Sequence, residues 1–158
     1  MSRLFGTDGI RGVANVEPLM PELAFRVGRQ LVATLGEHGG ERVRVVIGRD
    51  TRISGQLLES AMVAGVLSAG GECYAVGVLP TPGIALLTRA LAAHGGVVLS
   101  ALHNAYEDNG IKLFSAQGTK FPDAWEDEIE RRLTGEDSAP RARGAHIGRL
   151  HAYARAEE

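Results

Sequence analysis

The sequence predicts an α/β fold, a three-layer α/β/α sandwich built on a mixed, mainly parallel four-stranded sheet. Between residues 21 and 133, apolar segments of strand length alternate with amphipathic segments of helix length. Most strand-to-strand connections are long enough to hold a helix, which indicates parallel neighbours and a sheet covered on both faces. One connection, residues 100–111, is too short for a helical crossover, so we expect the strand after it to return antiparallel.

Four strands are predicted from short apolar runs bounded by glycine or charged residues. In chain order they are residues 43–47, 73–77, 97–101 and 111–114. The second contains Cys73, the only cysteine, so the chain can form neither an intramolecular disulfide nor a metal site with two thiolates. We expect Cys73 to be a small buried apolar residue rather than a nucleophile.

Four helices fall between or after these strands. In chain order they cover residues 21–35, 54–68, 81 to the Gly95-Gly96 pair, and 122–133. The first has apolar residues at positions 23, 27, 31 and 35, which lie on one helix face, and Gly39-Gly40 marks its end. The third begins with Thr81 as a hydroxyl cap and Pro82 in the first turn. The fourth is more polar and is expected to lie on the surface.

Length and composition describe about one soluble domain. Of 158 residues, 44% are hydrophobic and 23% are charged, and a net charge of −2 provides no field to attract nucleic acid or a membrane surface. The sequence has no leader and no apolar run of about 20 residues, so we expect a cytoplasmic protein. Apolar periodicity ends near residue 134, which predicts one domain over residues 1–134 and a linker with a truncated tail over residues 135–158.

The most informative loop lies at residues 100–112. An apolar strand runs into a polar turn, and Asp108-Asn109-Gly110 leads into the next strand. The turn therefore follows the carboxyl end of a strand, where open α/β sheets bind ligands.

Two further loops carry arginines. Residues 6–12 hold three glycines and Arg11, so that backbone amides and a guanidinium can approach an anion, although an ordinary glycine turn is the alternative. Residues 48–52 place Arg49 and Arg52 on either side of Asp50. These arginines either face an anion or form an ion-pair network that holds the loop before the second helix. We favour the network, because Asp50 would neutralise one arginine and position the other.

Taken together, the three loops resemble the α-D-phosphohexomutase family. Its phosphoserine loop reads Ser/Thr-Ala-Ser-His-Asn-Pro before Asp-Asn-Gly-x-Lys, and residues 100–105 and 108–112 here read SALHNA and DNGIK. Residues 5–12, FGTDGIRG, are similar to the amino-terminal signature of the family, and residues 48–52, GRDTR, to its second arginine loop. Within the family, residues 6–15 and 17–19 are most similar to the bacterial phosphoglucosamine mutase branch.

This resemblance implies catalytic roles. Leu102 occupies the phosphoserine position, and Ala105 that of the loop proline. Lys112 matches the lysine that assists proton transfer, and Arg11 matches the arginine that positions the transferring phosphoryl group. His103 matches a polar residue of the catalytic loop.

The resemblance also implies a phosphate-binding set, whose members are Arg11, Ser100, His103, Asn104 and Lys112. As alternatives, His103 and Asn104 are turn residues and Lys112 is a surface lysine on an edge strand. Ser100 lies roughly 6–7 Å along the strand from Leu102, too far to replace the missing nucleophile.

Complete family members interconvert phosphosugars, here glucosamine 6-phosphate and glucosamine 1-phosphate, through a phosphoserine. That residue binds Mg²⁺ together with an Asp-x-Asp-x-Asp loop from a second domain, towards which residues 135–158 would lead. Leucine has no oxygen to accept phosphate or ligate a metal, so we expect this chain alone to be inactive. We also expect it to hold no cofactor or metal, and to bind phosphate or a phosphosugar weakly at most.

A second hypothesis starts from the same two departures. Leu102 and Ala105, together with Tyr106, place apolar side chains at a loop tip that is polar in the family. A re-engineered or inactivated scaffold could present them to a partner or to a second copy, which would give a homodimer. A naturally degenerate paralogue would show the same substitutions.

Overall fold

The computed structural model describes residues 3–39 and 42–153. The α/β fold is confirmed, with ten main elements and a short 3₁₀ turn at Gly144–His146. In chain order these elements are β1 (Ile10–Val13), α1 (Pro21–Gly39), β2 (Arg44–Arg49), α2 (Ser54–Ser68), β3 (Glu72–Val78), α3 (Thr81–Ala90), β4 (Gly95–Leu99), β5 (Asp108–Ser115), α4 (Asp123–Leu133) and β6 (Leu150–Ala152).

The strands form one mixed sheet in the order β1-β5-β4-β2-β3-β6. Strands β4, β2, β3 and β6 pair in parallel. Strand β5 runs antiparallel to both β4 and β1, so the expected antiparallel return beside β4 is confirmed. The predicted count of four strands is wrong, because β1 and β6 extend the two edges. Both are short strands that join through backbone pairing and have no apolar alternation of their own.

Helices cover both faces of the sheet. On one face, α1, α2 and α4 enclose the larger core, which includes Val45 and Ile47 of β2. On the other face, α3 covers a smaller cluster that includes Val46 and Ile84. Adjacent residues of β2 thus point to opposite layers, as successive residues of a strand must. None of the helices in the described part of the chain is both long and apolar enough to span a membrane.

The helices differ from the predicted ones mainly at their ends. Helix α1 continues to Gly39, and Gly40 lies outside the described residues. Pro80 caps α3 in extended conformation without a side-chain hydrogen bond, so the predicted hydroxyl cap at Thr81 is wrong. Helix α3 ends at Ala90, and Ala92 follows with a φ of 52°. Helix α4 is exposed along one side, but Ile129 on its other side is fully buried in the core.

Residues 135–153 pack against the sandwich. Arg29 of α1 is 1% exposed and donates hydrogen bonds to both carboxylate oxygens of Asp137, at 2.5 and 3.1 Å. It also donates to Ser68 Oγ at 2.7 Å and to the carbonyl of Ala139 at 2.5 Å. The segment predicted as linker and tail therefore supplies β6 to the sheet, while residues 154–158 lie outside the described part. The domain boundary at residue 134 stays a prediction.

Candidate functional site

The three loops of interest meet at the edge of the sheet that the carboxyl ends of β2 and β4 form. Strands β2 and β4 are parallel neighbours, so the loops that follow them leave from the same edge, where the amide of Asp50 donates to the carbonyl of Leu99 at 3.1 Å. Strand β5 begins at this edge, and β1 pairs with it so that Arg11 lies opposite Gly110. The amide of Ser100 in turn donates to the carbonyl of Gly110 at 3.1 Å.

Leu102 lies at the exposed tip of the turn between β4 and β5, which we call the 102–108 turn. Its side chain is 56% exposed and its φ is 52°, in the left-handed region. An L-residue with a Cβ is destabilised there by about 1 kcal/mol relative to a right-handed conformation. Its amide donates to Ser100 Oγ at 3.2 Å, so the Ser100 hydroxyl serves as an acceptor within the turn.

Arg52 holds this turn from the β2 side. Its Nη2 donates to the carbonyls of Leu102 and Asn104, at 2.8 and 3.0 Å. Its Nη1 donates to the carbonyls of Ala105 and, at 3.1 Å, Asp108.

The carboxylate of Asp50 fixes Arg52 in turn. Asp50 accepts from the Arg52 amide at 3.0 Å and from its Nε at 3.1 Å. The neighbouring Arg49 instead pairs with Glu59 at 2.9 Å. This geometry favours the network interpretation of residues 48–52, with the difference that Arg52 holds the 102–108 turn rather than only its own loop.

Arg11 connects the glycine-rich loop to the same turn. Its Nη1 donates to Asn104 Oδ1 at 3.4 Å. Its Nε is buried and has no hydrogen-bond partner among residues 3–39 and 42–153. The guanidinium therefore holds one unsatisfied donor, which is closed to solvent in this conformation. The side chain fits over Gly110, where an added Cβ would lie 3.2 Å from Arg11 Cγ and 2.7 Å from the carbonyl oxygen of Ser100.

Gly9 lets the Arg11 loop approach β5. Its φ is +86°, and a Cβ at this position would lie 2.2 Å from the carbonyl oxygen of Ile111. Only a residue without a side chain fits this close backbone contact.

Lys112 lies on β5 opposite Val98, two residues from Gly110 and therefore on the same strand face. Its side chain is half-buried, and Nζ lies 5.7 Å from the centre of the Phe114 ring. In the described ranges, no carboxylate lies within 4.0 Å of Lys112 Nζ, so the ammonium has no ion-pair partner there.

Direct hydrogen bonds join two pairs of the predicted site residues, Arg11 with Asn104 and Ser100 with Leu102. His103 is exposed and forms no hydrogen bond with the described part of the chain. The predicted chemical role of each residue stays a prediction.

Sequence reasoning missed how two residues support the turn. Asn109 is fully buried, donates to Ser54 Oγ at 2.8 Å and accepts from the Gly110 amide at 2.8 Å, which fastens the end of the turn to α2. Its place in the Asp-Asn-Gly element was the available signal. Arg52 is the second, and nothing near it in sequence indicates carbonyl acceptors about 50 residues away.

Elsewhere, burial raises the pKa of the Cys73 thiol to about 12, and the charge of Glu59 adds to the shift. Cys73 is therefore no nucleophile at neutral pH.

A cavity of about 520 Å³ near the ends of α1 and α2 is lined in part by Arg42 and Arg132. Both guanidiniums have glutamate partners there, and the cavity lies apart from the three loops.

The fold and this edge define a class of protein. Residues 2–140 match the α/β/α domain I of the phosphoglucomutase/phosphomannomutase family, and the chain belongs to that family. A phosphoglucomutase/phosphomannomutase family protein from Burkholderia thailandensis superposes with a TM-score of 0.79 at 26% identity, covering 96% of this chain and 33% of that one. The resemblance drawn from the motifs is confirmed.

Two relatives with high sequence identity to this chain are phosphoglucosamine mutases. Phosphoglucosamine mutase of Moorella thermoacetica is 57% identical over 159 residues, which cover 100% of this chain and 35% of that protein. The phosphoglucosamine mutase of Heliobacterium modesticaldum is 53% identical over 174 residues, covering 99% and 38%. The chain thus spans little more than a third of the length of these relatives.

Proposed function

We propose that this chain is the first domain of a phosphoglucosamine mutase-like enzyme and that, with leucine at position 102, it binds phosphate without transferring it. In the complete reaction, a hydroxyl of glucosamine 6-phosphate attacks the phosphorus of a phosphoserine. The serine Oγ–P bond breaks and a sugar O–P bond forms, while the ammonium of Lys112 gives a proton to the released serine Oγ and takes up the proton of the sugar hydroxyl. The serine hydroxyl then attacks the 6-phosphoryl group of the bisphosphorylated sugar: a new serine Oγ–P bond forms, the O6–P bond breaks, the serine proton passes to O6, and glucosamine 1-phosphate is left.

The observation that carries the proposal is the cationic edge built around the turn. Arg11 brings a half-buried guanidinium to this edge, and Lys112 on the neighbouring strand has no acid within ion-pair distance in the described ranges. Cationic donors of this kind disperse the charge on the oxygens of a transferring phosphoryl group. Asn104, hydrogen-bonded to Arg11, adds a polar contact at the same edge.

The absence of turnover follows from residue chemistry. Leu102 has no oxygen to form a phosphate ester. Ser100 Oγ accepts the Leu102 amide and so has a role within the turn, and we expect no phosphoryl transfer to it. The described residues contain no group of three or more His, Cys, Asp or Glu side chains that could hold a metal. They do not suit Mg²⁺, so the proposal assigns no step in this chain to a metal.

A chimera tests the proposal. Residues 1–158 would replace the matching segment of the Moorella thermoacetica enzyme, with position 102 either Leu or, through Leu102→Ser, a hydroxyl residue. We expect no mutase turnover from the first form and measurable turnover from the second, increased further by Ala105→Pro. As a control, the phosphoryl group of the Leu102→Ser chimera should map to position 102 and not to Ser100. Turnover by the unmodified chimera, or none with Leu102→Ser, would contradict the proposal.

The 158-residue chain offers a second test. After incubation with glucose 1,6-bisphosphate, intact mass should show no phosphoryl adduct. Inorganic phosphate should shift the amide resonances of Gly9, Arg11, His103 and Lys112 with a Kd of about 1 mM or weaker, and less strongly as salt rises. Resonances that stay fixed would mean that the three loops do not form one anion site.

Exposure of the turn supports a second candidate function, self-association. Leu102 is 56% and Tyr106 81% exposed, and Ile53, next to Arg52, is 87% exposed. Exposed apolar side chains grouped at one edge favour contact with another protein surface. A two-fold homodimer is the commonest arrangement for such a contact.

A further inference from the structure

We infer that Arg52 is a positioning residue, which sets the shape of the 102–108 turn and so the affinity of the site for phosphate, without touching the anion. This inference rests on the proposed function. It assigns to Arg52 a role different from those of Arg11 and Lys112, which would contact the phosphate.

The hydrogen bonds of Arg52 leave it no donor for a ligand. A guanidinium has five N–H donors. One bonds Asp50, and the other four bond the carbonyls of Leu102, Asn104, Ala105 and Asp108. The side chain is only 10% exposed. An anion could reach this guanidinium only by displacing a carbonyl of the turn.

The four carbonyls determine how the turn faces the site. Because a peptide unit is planar, fixing the carbonyls of Asn104 and Ala105 fixes the peptide planes on both sides of Ala105, and fixing the carbonyl of Leu102 fixes the plane between Leu102 and His103. It also holds Leu102 in its left-handed conformation. Carbonyl oxygens carry partial negative charge and would repel phosphate if they turned towards it. Arg52 draws four of them to itself, and Asn104 remains placed to meet Arg11.

Lysine cannot replace this arrangement. Its ammonium has three donors at one point, whereas the planar guanidinium spreads five along a rigid fork. Arg52→Lys therefore keeps the positive charge and loses most of the carbonyl contacts, which separates geometry from charge. Arg49→Lys is the matched control. Arg49 is the last residue of β2, three residues before Arg52, but it pairs with Glu59 and not with the turn.

The experiment compares Arg52→Lys, Arg52→Gln and Arg49→Lys in the 158-residue chain. It measures amide hydrogen exchange of residues 102–108 and the affinity for inorganic phosphate. In both Arg52 variants, we expect exchange to accelerate and phosphate affinity to fall about tenfold, as occurs when residues that orient ligand contacts are lost. Arg49→Lys should change neither by more than about twofold. If Arg52→Gln does not fold, Asp50→Asn, which loosens the guanidinium, replaces it and should give a smaller change of the same sign.

Two results would overturn the inference. Unchanged exchange in Arg52→Lys would show that the fork does not hold the turn. Accelerated exchange with unchanged phosphate affinity would show that the shape of the turn does not govern binding. Failure of the unmodified chain to bind phosphate would instead refute the proposed function, and with it the role in binding, while the exchange data would still report whether Arg52 holds the turn.

Discussion

Replacing Asp137 with asparagine should destabilise the whole fold, although Asp137 lies in the stretch predicted as a linker. Its carboxylate pairs with Arg29, which is 1% exposed, and accepts two further hydrogen bonds, from Gln30 Nε2 and from the amide of Ala139, each at 3.0 Å. Asparagine keeps the size and one oxygen but removes the negative charge. A guanidinium would then remain buried without its counter-ion.

The expected loss is about 2–3 kcal/mol. Removing one partner of a fully buried ion pair costs about 3–5 kcal/mol, because the other charge stays desolvated. The Asp137 side chain is 21% exposed, and Arg29 keeps the Ser68 hydroxyl and the carbonyls of Ala139 and Pro140 as neutral acceptors, so the expected loss falls at or below the lower end of that range. For a chain of this size, the midpoint of thermal unfolding should fall by about 4–12 °C.

Urea and thermal unfolding of Asp137→Asn measure this loss. Asp123→Asn, which removes an exposed partner of Lys120, is the control and should barely change the midpoint. In an Arg29→Met background, Asp137→Asn should have little further effect, because no buried charge remains to be left unpaired. A loss well below 1 kcal/mol, or an equal loss in the Arg29→Met background, would refute the reasoning.

The same pair makes a pH-dependent contribution. The hydrogen bond from Arg29 holds the pKa of Asp137 below its ordinary value near 3.8. A lowered pKa stabilises the fold fully above the ordinary value, and this contribution is lost as pH falls through the lowered pKa. The difference between Asp137→Asn and the unmodified chain should therefore shrink in acid below about pH 4.

Three further predictions concern other parts of the chain. Burial raises the pKa of Glu126 above 4.5, so its ionised form is disfavoured in the fold and Glu126→Gln should melt at a higher temperature at pH 7. That advantage should disappear towards pH 4, whereas a loss confined to pH 7 would contradict it. Gly9→Ala should lower the free energy of unfolding, measured in urea, by at least about 2 kcal/mol, because the added Cβ would meet the Ile111 carbonyl. Sedimentation between micromolar and hundred-micromolar concentration should show a concentration-dependent dimer that Leu102→Ser weakens, and a strictly monomeric profile would reject it.

Most of the fold could be predicted from the local periodicity of apolar residues. Helix α2 has the predicted bounds, Ser54–Ser68, because the segment is rich in apolar residues and Gly70-Gly71 follow it directly along the chain. Strand β6 could not be predicted in this way. Its three residues have no alternation of their own, and the Arg29–Asp137 pair that anchors the chain before it joins residues 108 positions apart. In an amphipathic pattern, an arginine within a helix indicates the solvent face, not a buried anchor.

The site shows the same division. Motif spacing was sufficient to bring three loops to one edge, because strand order in an α/β sheet places successive loops together. The contacts within that edge depend on which backbone atoms approach each other. Five donors on Arg52 indicate a capacity for many hydrogen bonds, but not that its acceptors lie 50 to 56 residues further along the chain.

The burial of Cys73 has a practical consequence for spectroscopy of the turn. The chain carries a single thiol, fully buried and with its pKa raised to about 12, so it will not react with maleimides while the protein is folded. Tyr106→Cys would therefore create one accessible attachment point at a position now 81% exposed, with no need to remove the native cysteine. A spin label or fluorophore placed there would report motions of the turn directly, in the otherwise unaltered protein.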